Sequence, residues 1–300
     1  MIYIFYIYKL YVLLTGGLEN VQTMLKTDFT QWIGRTHQDY AVFGESAAVR
    51  HAATIGFDAG QAGDVMPLLS HWCAFTPNVD TTELSNDGHP KLGGFLPPVH
   101  LERRMWAGGT LTFHAPLHIG ARLTRRSEIK SITEKVGVIG PMLFVSVAHA
   151  IFEDDWLCVE ETQDIVYLNI PQVFVPPKSK PVPSKPDMIE AVTVTEPLLF
   201  RFSAITFNAH RIHYDLPYAQ SVEKYPGLVV HGPLQAMLLL RAAMGHSGRD
   251  VRKFQFRGIH PMFHFDDMHL FGETTEDGMK LCTGLVDGHQ GMQANTIWEE

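Results

Sequence analysis

Between Phe202 and Gly245 the chain concentrates side chains that can move protons. Asn208, His210, Arg211, His213, Tyr214 and Asp215 crowd one short stretch, and Val229-Val230-His231-Gly232-Pro233 follows soon after. Imidazole titrates near neutral pH, so His210 or His213 can take up and return a proton within one reaction cycle. A helical run begins directly after His231-Gly232. Leu234, Met237, Leu238 and Ala242 recur at helical spacing, Pro233 suits a first turn, and Gly245 is expected to stop the helix. A helix start carries unpaired N–H groups and partial positive charge, which can hold the oxygen of a polarised carbonyl. The combination suits proton transfer next to a carbonyl whose developing charge rests on that helix end. The bland alternative makes His210, His213 and His231 ordinary loop residues of a chain that has 16 histidines. A polar cluster followed in order by a glycine-led helix favours a site.

No metal is expected. His210 and His213 form an HxxH pair and His260 and His264 lie four apart, but neither pair brings the acidic or cysteine ligands of a metal site. No cofactor is expected either. Met237, Leu238 and Met244 read as core.

These residues need a scaffold. With 300 residues, 45% of them apolar and 19% charged, the chain is long enough for one large or two ordinary domains. The net charge of −8 argues against nucleic acid or an anionic membrane as the main partner. Cys73, Cys158 and Cys282 are too few and too widely spaced for a disulfide framework, and point to a reducing, cytoplasmic setting. The apolar opening, MIYIFYIYKLYVLLTGG, is interrupted by Lys9, is short for a membrane span and lacks a basic lead. Residues 1–23 are therefore expected to lie outside the fold as a non-native or disordered extension, with Met24 as the natural start.

Downstream, Asp28 to Thr36 reads as a short lead-in, and Glu45 to Ile55 as a helix stopped by Gly56. Met66 to Phe75 is too short for periodicity to decide. After a Gly- and Pro-rich loop, strands are expected at Arg104–Phe113, Ala121–Thr133, Met142–Phe152 and Cys158–Leu168. Prolines crowd residues 171–186, which forbids a packed element and marks a linker between a unit at 24–170 and a second at 187–300. Past the helix at Leu234–Met244, strands are expected at Val251–Phe256, Met268–Glu273 and Met279–Val286. Helix then antiparallel strands, twice, makes an α+β arrangement. A faint repeat supports duplication: RRMWAGGTLTFHAPLHIG and RKFQFRGIHPMFHFDDMHLFG match Gly109 with Gly258 and Gly120 with Gly272 in role.

At FNAHRIHYD and VVHGPLQA the chain resembles the MaoC-like, hydratase-2 branch of the hotdog fold, and within it mesaconyl-CoA hydratases and type 2 hydroxyacyl-thioester dehydratases. GGFLPPVHLERRMWAGGTLTFHAPLHIG resembles the first half of those proteins. The resemblance implies a double hotdog, each unit an antiparallel sheet wrapped around a central helix, with the catalytic motif in the second unit. It also implies a cofactor-free hydro-lyase that adds water to a 2-enoyl-CoA thioester or removes it from a 3-hydroxyacyl one. The family motif runs Asp, any residue, Asn, Pro, an aliphatic, His, any residue, Asp. It places His213 at the catalytic histidine, Asp215 at the final acid, His210 at the asparagine and Asn208 at the first aspartate. Asn208 departs from the pattern and cannot exchange a proton.

The resemblance makes His213 the base or shuttle, Asn208 the holder of water, Gly232 the oxyanion donor and His210 the rival shuttle. Arg211, Tyr214, His231 and Arg257 become candidates for binding substrate. Arg211, Arg252, Lys253 and Arg257 are candidates for the coenzyme A phosphates, with solvated strand charges as the bland account. Two other readings stand beside the hydratase: an acyl-CoA thioesterase, and a catalytically silent acyl-thioester-binding protein, which Asn208 makes conceivable. Two units in one chain predict a stable protomer, and association into a homo-oligomer stays open.

Overall fold

The computed structural model describes residues 28–137 and 140–300, so the expectation for residues 1–23 lies outside the described residues. Ten antiparallel strands form one sheet: β1 (Thr36–Val42), β2 (Arg103–Phe113), β3 (Arg122–Gly137), β4 (Gly140–Glu153), β5 (Trp156–Leu168), β6 (Met188–Val192), β7 (Val251–Gly258), β8 (Met268–Thr274), β9 (Gly278–Leu285) and β10 (Gln290–Trp298). Their spatial order is β1-β3-β4-β5-β2-β7-β10-β9-β8-β6. The first five strands and the last five run in the same order outward from the central β2·β7 seam. At that seam Gly108 faces Arg257 and Gly109 faces Phe256. A side chain at Gly108 would place its Cβ 2.5 Å from the Phe256 carbonyl oxygen, so the close approach of the halves requires glycine there.

The helices are α1 (Glu45–Ile55), α2 (His71–Ala74), α3 (Glu196–Ile205), α4 (Leu216–Ser221) and α5 (Gly232–Ser247). α5 is buried on nearly every side, with Leu234, Ala236, Met237, Leu239, Leu240 and Ala243 at 0–1% exposure, as the centre of a wrapping sheet requires. It packs on β7 to β10 and on β2. The lead-in to α5 has a counterpart in the first half. Val229 bridges Phe263 as Val65 bridges His118. Val230 N–H donates to Met262 O at 2.8 Å, as Met66 N–H donates to Leu117 O at 2.7 Å.

At the counterpart position the first half carries only α2, four residues long. The Thr76-Pro77 pair follows at once, and the residue before proline avoids the helical region. Beside this shortened element the fold leaves an open cavity of about 2330 Å³, walled partly by Trp72, Phe75, Trp106 and Phe202. Two central elements, one long and one cut short, thus lie against one continuous sheet. This is the α+β double hotdog that the resemblance implied.

Three details differ from the expectations. Gly245 does not stop α5, which runs on to Ser247; Gly248 takes the left-handed conformation at φ 66° and its N–H closes on Met244 O at 2.8 Å. The pairing of Gly120 with Gly272 is not kept, because Gly120 turns at φ 84° ahead of β3 while Gly272 lies inside β8. Each half also opens on a strand, β1 or β6, and α3 precedes the motif. From Asn169 to Asp187 the chain has no regular element, although Gln290 N–H donates to Lys180 O at 2.8 Å. Cys73, Cys158 and Cys282 are buried free thiols. No described helix is long and apolar enough to cross a membrane.

Candidate active site

The motif is folded by its own side chains. Thr195 caps α3, its hydroxyl accepting from Leu198 N–H at 3.2 Å, and past α3 the chain reverses at Phe207 with φ 51°. Asn208 N–H donates to Ser203 O at 2.8 Å, and Asn208 Oδ1 accepts His210 N–H at 3.0 Å. With Oδ1 holding that N–H, the two amide N–H groups of Asn208 are left to donate. Asp215 starts α4, accepting from Tyr218 N–H at 3.0 Å through one oxygen and from Arg211 Nε and Nη2 at 3.0 and 2.8 Å through the other. Those bonds hold the Asp215 carboxyl below its ordinary range.

His213 lies between these turns, buried, with Nδ1 at 2.7 Å from Val229 O. A carbonyl can only accept, so Nδ1 carries the hydrogen and Nε2 keeps its lone pair. Behind it His231 stacks on the ring, centroids 3.6 Å apart and planes 19° apart, and meets Ser203 Oγ through Nε2 at 2.9 Å. Burial first, and then the neighbouring imidazoles of His231 and His210, push His213 well below 6.5. His231 is lowered to about 3, chiefly by burial. Both rings are neutral at physiological pH.

His231 is the residue before the first turn of α5, and Gln235 N–H returns to its carbonyl at 3.1 Å. The N–H of Gly232 therefore has no partner within the helix, and Pro233 has none to offer. Gly232, Pro233, Asn208, His210, His213 and Tyr214 share the cavity wall. A first-turn donor and a neutral imidazole base thus line one cavity, an arrangement able to move a proton beside a polarised carbonyl.

The first half completes the wall. Gly88, at φ 92°, passes so close to the motif that a Cβ would sit 1.7 Å from Ala209 O. This contact brings in Asp87 and His89. His89 Nδ1 bonds Asp87 Oδ2 at 2.7 Å, Asp87 Oδ1 accepts His89 N–H at 3.0 Å, and Asp87 O accepts Arg211 N–H at 2.9 Å. The His89 and His210 rings lie 4.1 Å apart. Burial, then the charges of His210 and Arg104, lowers His89 to about 3. Burial would raise Asp87, but the bonds to His89 outweigh it and hold the carboxyl at about 2. Asp87, His89 and His210 each offer a ligand atom within 4.8 Å of the others, the one group among the described residues with metal-binding spacing. On the far side of His210, Glu223 Oε1 stands 3.6 Å from Nε2, while Glu223 Oε2 accepts Arg103 Nε at 2.7 Å.

Residues 69–264 match the hydroxyacyl-thioester dehydratase type 2 family. The chain is 44% identical over 275 residues to the mesaconyl-C(4)-CoA hydratase of Chloroflexus aurantiacus, a match covering 90% of this chain and 98% of that protein. The chain belongs to the hydroxyacyl-thioester dehydratase type 2 family. Among solved structures it resembles a MaoC-like dehydratase from Phytophthora capsici, with a TM-score of 0.66 at 11% identity over 89% of this chain and 96% of that one. It also resembles a Mycobacterium tuberculosis protein with a double hotdog fold, with a TM-score of 0.54 at 13% identity over 89% and 96%. At such identities the structures speak for the fold alone.

Within this type 2 dehydratase fold the remaining candidates scatter. Arg211 spends its guanidinium on Asp215 and on Asn86 O, at 3.1 Å, and lies 4.0 Å over the Tyr218 ring. Tyr214 reaches the cavity edge, its hydroxyl donating to Ala209 O at 2.8 Å. His231, at 0% exposure, is sealed behind His213 and has no surface to offer a substrate. Arg257 is exposed on β7 and bonds Gln293 Oε1 at 3.0 Å; neither it nor Arg252 nor Lys253 lies on the cavity wall. Asp87, His89, Arg103, Ser203 and Glu223 were not anticipated. The glycine flanked by Asp87 and His89 in NDGHP was the available signal for the first two.

Proposed function

We propose that this protein adds water across the double bond of a 2-enoyl-CoA thioester, or removes it from the 3-hydroxyacyl counterpart, with a branched dicarboxylic acyl group of the mesaconyl type as substrate. The observation that carries this reading is the free Nε2 of a neutral, buried His213 on the same cavity wall as the unpaired Gly232 N–H. His213 Nε2 takes a proton from water while the water oxygen bonds the β-carbon. The double-bond electrons move toward the thioester oxygen, where the Gly232 N–H and the positive end of α5 stabilise the enolate. The imidazolium then gives its proton to the α-carbon, which restores neutral His213 and completes one water added. A strongly lowered imidazole pKa suits the second step, because the cation is a willing donor.

Asn208 donates its amide hydrogen to the water oxygen. His231 and Ser203 hold the His213 ring from behind, and Asp87 with His89 supplies a carboxylate-anchored imidazole beside His210, in a motif where Asn208 stands in the place of an acid. Lys178, exposed on the connector at the cavity rim, suits a coenzyme A phosphate. We place the unit boundaries at 24–170 and 187–300 with 171–186 as linker, and the protein in the cytoplasm, where its thiols stay reduced. Loss of enoyl-thioester absorbance with mesaconyl, crotonyl and longer enoyl-CoA substrates tests the activity. Turnover of at least one supports it, and none overturns it.

A further inference from the structure

Lys91, Arg103, Arg104, Arg125 and Lys178 are the lysines and arginines on the cavity wall. Arg103 is neutralised by Glu223 at 2.7 Å, Arg125 by Asp39 at 2.7 Å and Lys91 by Glu83 at 3.6 Å. Lys178 is exposed to solvent. Arg104 differs from all four. It is half-buried on β2, and no described carboxylate lies within ion-pair distance of it. Directly across the ladder from it stands Tyr167, fully buried, with its hydroxyl within the reach of the guanidinium. The charge of Arg104 reaches Tyr167 on one side and His89 on the other. His89 in turn lies against His210, whose ring is 5.4 Å from that of His213.

A guanidinium withdrawn from water without a counter-ion is costly, and a fold retains one most readily where a ligand completes it. Its planar fork matches the two oxygens of a carboxylate. The coenzyme A phosphates are a poor match, because they need the solvent-facing rim where Lys178 lies, whereas Arg104 is half-buried opposite Tyr167. An acyl group bearing its own acid is a good one. In a four-carbon dicarboxylic thioester the free carboxylate sits only ~4–5 Å from the thioester carbon, so its anchor has to come from the same cavity wall as His213, which Arg104 shares.

We infer that Arg104 binds the free carboxylate of a dicarboxylic acyl thioester and so selects acidic over neutral acyl groups. The inference deepens the hydratase reading and rests on it for the identity of the ligand. It assigns the first half of the chain the end of the acyl group remote from the thioester, while the second half holds the reacting carbons. Mesaconyl thioesterified at C4 has such a carboxylate; crotonyl does not.

The test is calorimetric binding of methylsuccinyl-CoA thioesterified at C4, a saturated analogue, and of its methyl ester, to the full chain and to Arg104→Gln and Arg104→Lys. The unaltered protein is expected to prefer the acid by roughly 10²-fold, the scale of a charge pair withdrawn in part from water. Arg104→Gln should bind both alike, with ester affinity unchanged, and Arg104→Lys should keep part of the preference. Equal binding of acid and ester by the unaltered protein would overturn the inference. So would equal loss of both in Arg104→Gln, the outcome expected if Arg104 served coenzyme A or the fold. Because the analogue cannot be hydrated, this result is independent of turnover: acid preference without enoyl turnover would sink the hydratase reading and keep Arg104 as a carboxylate anchor.

Discussion

Replacing His213 perturbs two things that can be separated. His213→Ala removes Nε2, the proposed base, and should lower kcat by roughly 10² to 10⁴, the range of a positioned acid–base group. It also leaves the buried Val229 carbonyl without its donor and opens a void against His231, whose ring lies 3.6 Å away. An unsatisfied buried carbonyl costs about 1–3 kcal/mol, and the void adds to it. The melting temperature should therefore fall by on the order of 5–10 °C. His213→Asn separates the effects, because its amide nitrogen occupies the place of Nδ1 and can donate to Val229 O, while nothing replaces Nε2. Thermal melts together with enoyl-thioester absorbance provide the assay. The expected result is Asn stability well above that of Ala, with both variants slow to a similar degree. If His213→Asn keeps more than about a tenth of the rate, His213 serves the fold and the proton moves elsewhere, with His210 the first suspect.

Asn208→Asp restores the acid of the wider family, and its carboxylate can still accept the His210 N–H; activity should be retained or raised, whereas Asn208→Ala should lose rate, both read from initial velocities. Asp87→Asn removes the anion that orients His89 and is expected to lower kcat by about tenfold or more, with little change in melting temperature if the loop is held by the Arg211 N–H to Asp87 O bond. Gly88→Ala forces a Cβ into Ala209 O and demands positive φ from alanine, so it should displace the loop and lower both activity and thermal stability. Stability should also fall with acid. His51 and His149, lowered to about 4, and His231, lowered to about 3, all chiefly by burial, are neutral when folded but charge near pH 6.5 when unfolded. The unfolded chain therefore binds more protons below that pH, and denaturant midpoints should drop progressively from about pH 6.5 to about pH 4. A flat midpoint over that window would contradict the assigned neutral states.

How much the sequence discloses depends on whether the cause is local. α1 spans Glu45–Ile55 as its pattern implies, because its stop is Gly56 itself in the left-handed conformation at φ 83°. α5 outran Gly245 because a glycine inside a helix is merely unfavourable, while the chain reversal belongs to Gly248. β1 escaped notice because it is an edge strand exposed along most of its length, without an apolar face to read, and β6 is short and follows the proline-rich connector. The start of α3 at Thr195-Glu196-Pro197 has a local cause, a capping hydroxyl and a first-turn proline. Asn208, His210, His213 and Gly232 could be grouped because little chain separates them. Asp87 and His89 reach the same cavity from the other half, through a contact at Gly88 that depends on how the halves meet. Glu223 and Arg103 form a pair across 120 residues that no spacing rule anticipates.

The fate of one water decides the reaction. The protein should be mixed with mesaconyl-CoA thioesterified at C4 in water enriched in oxygen-18, and the products resolved by mass spectrometry. The expected product is an intact thioester heavier by one water, with the label in a hydroxyl on the β-carbon. Free coenzyme A with the label in a released carboxylate would make the protein a thioesterase, and a tightly bound but unchanged thioester would make it a silent acyl-thioester-binding protein; either result would contradict the account.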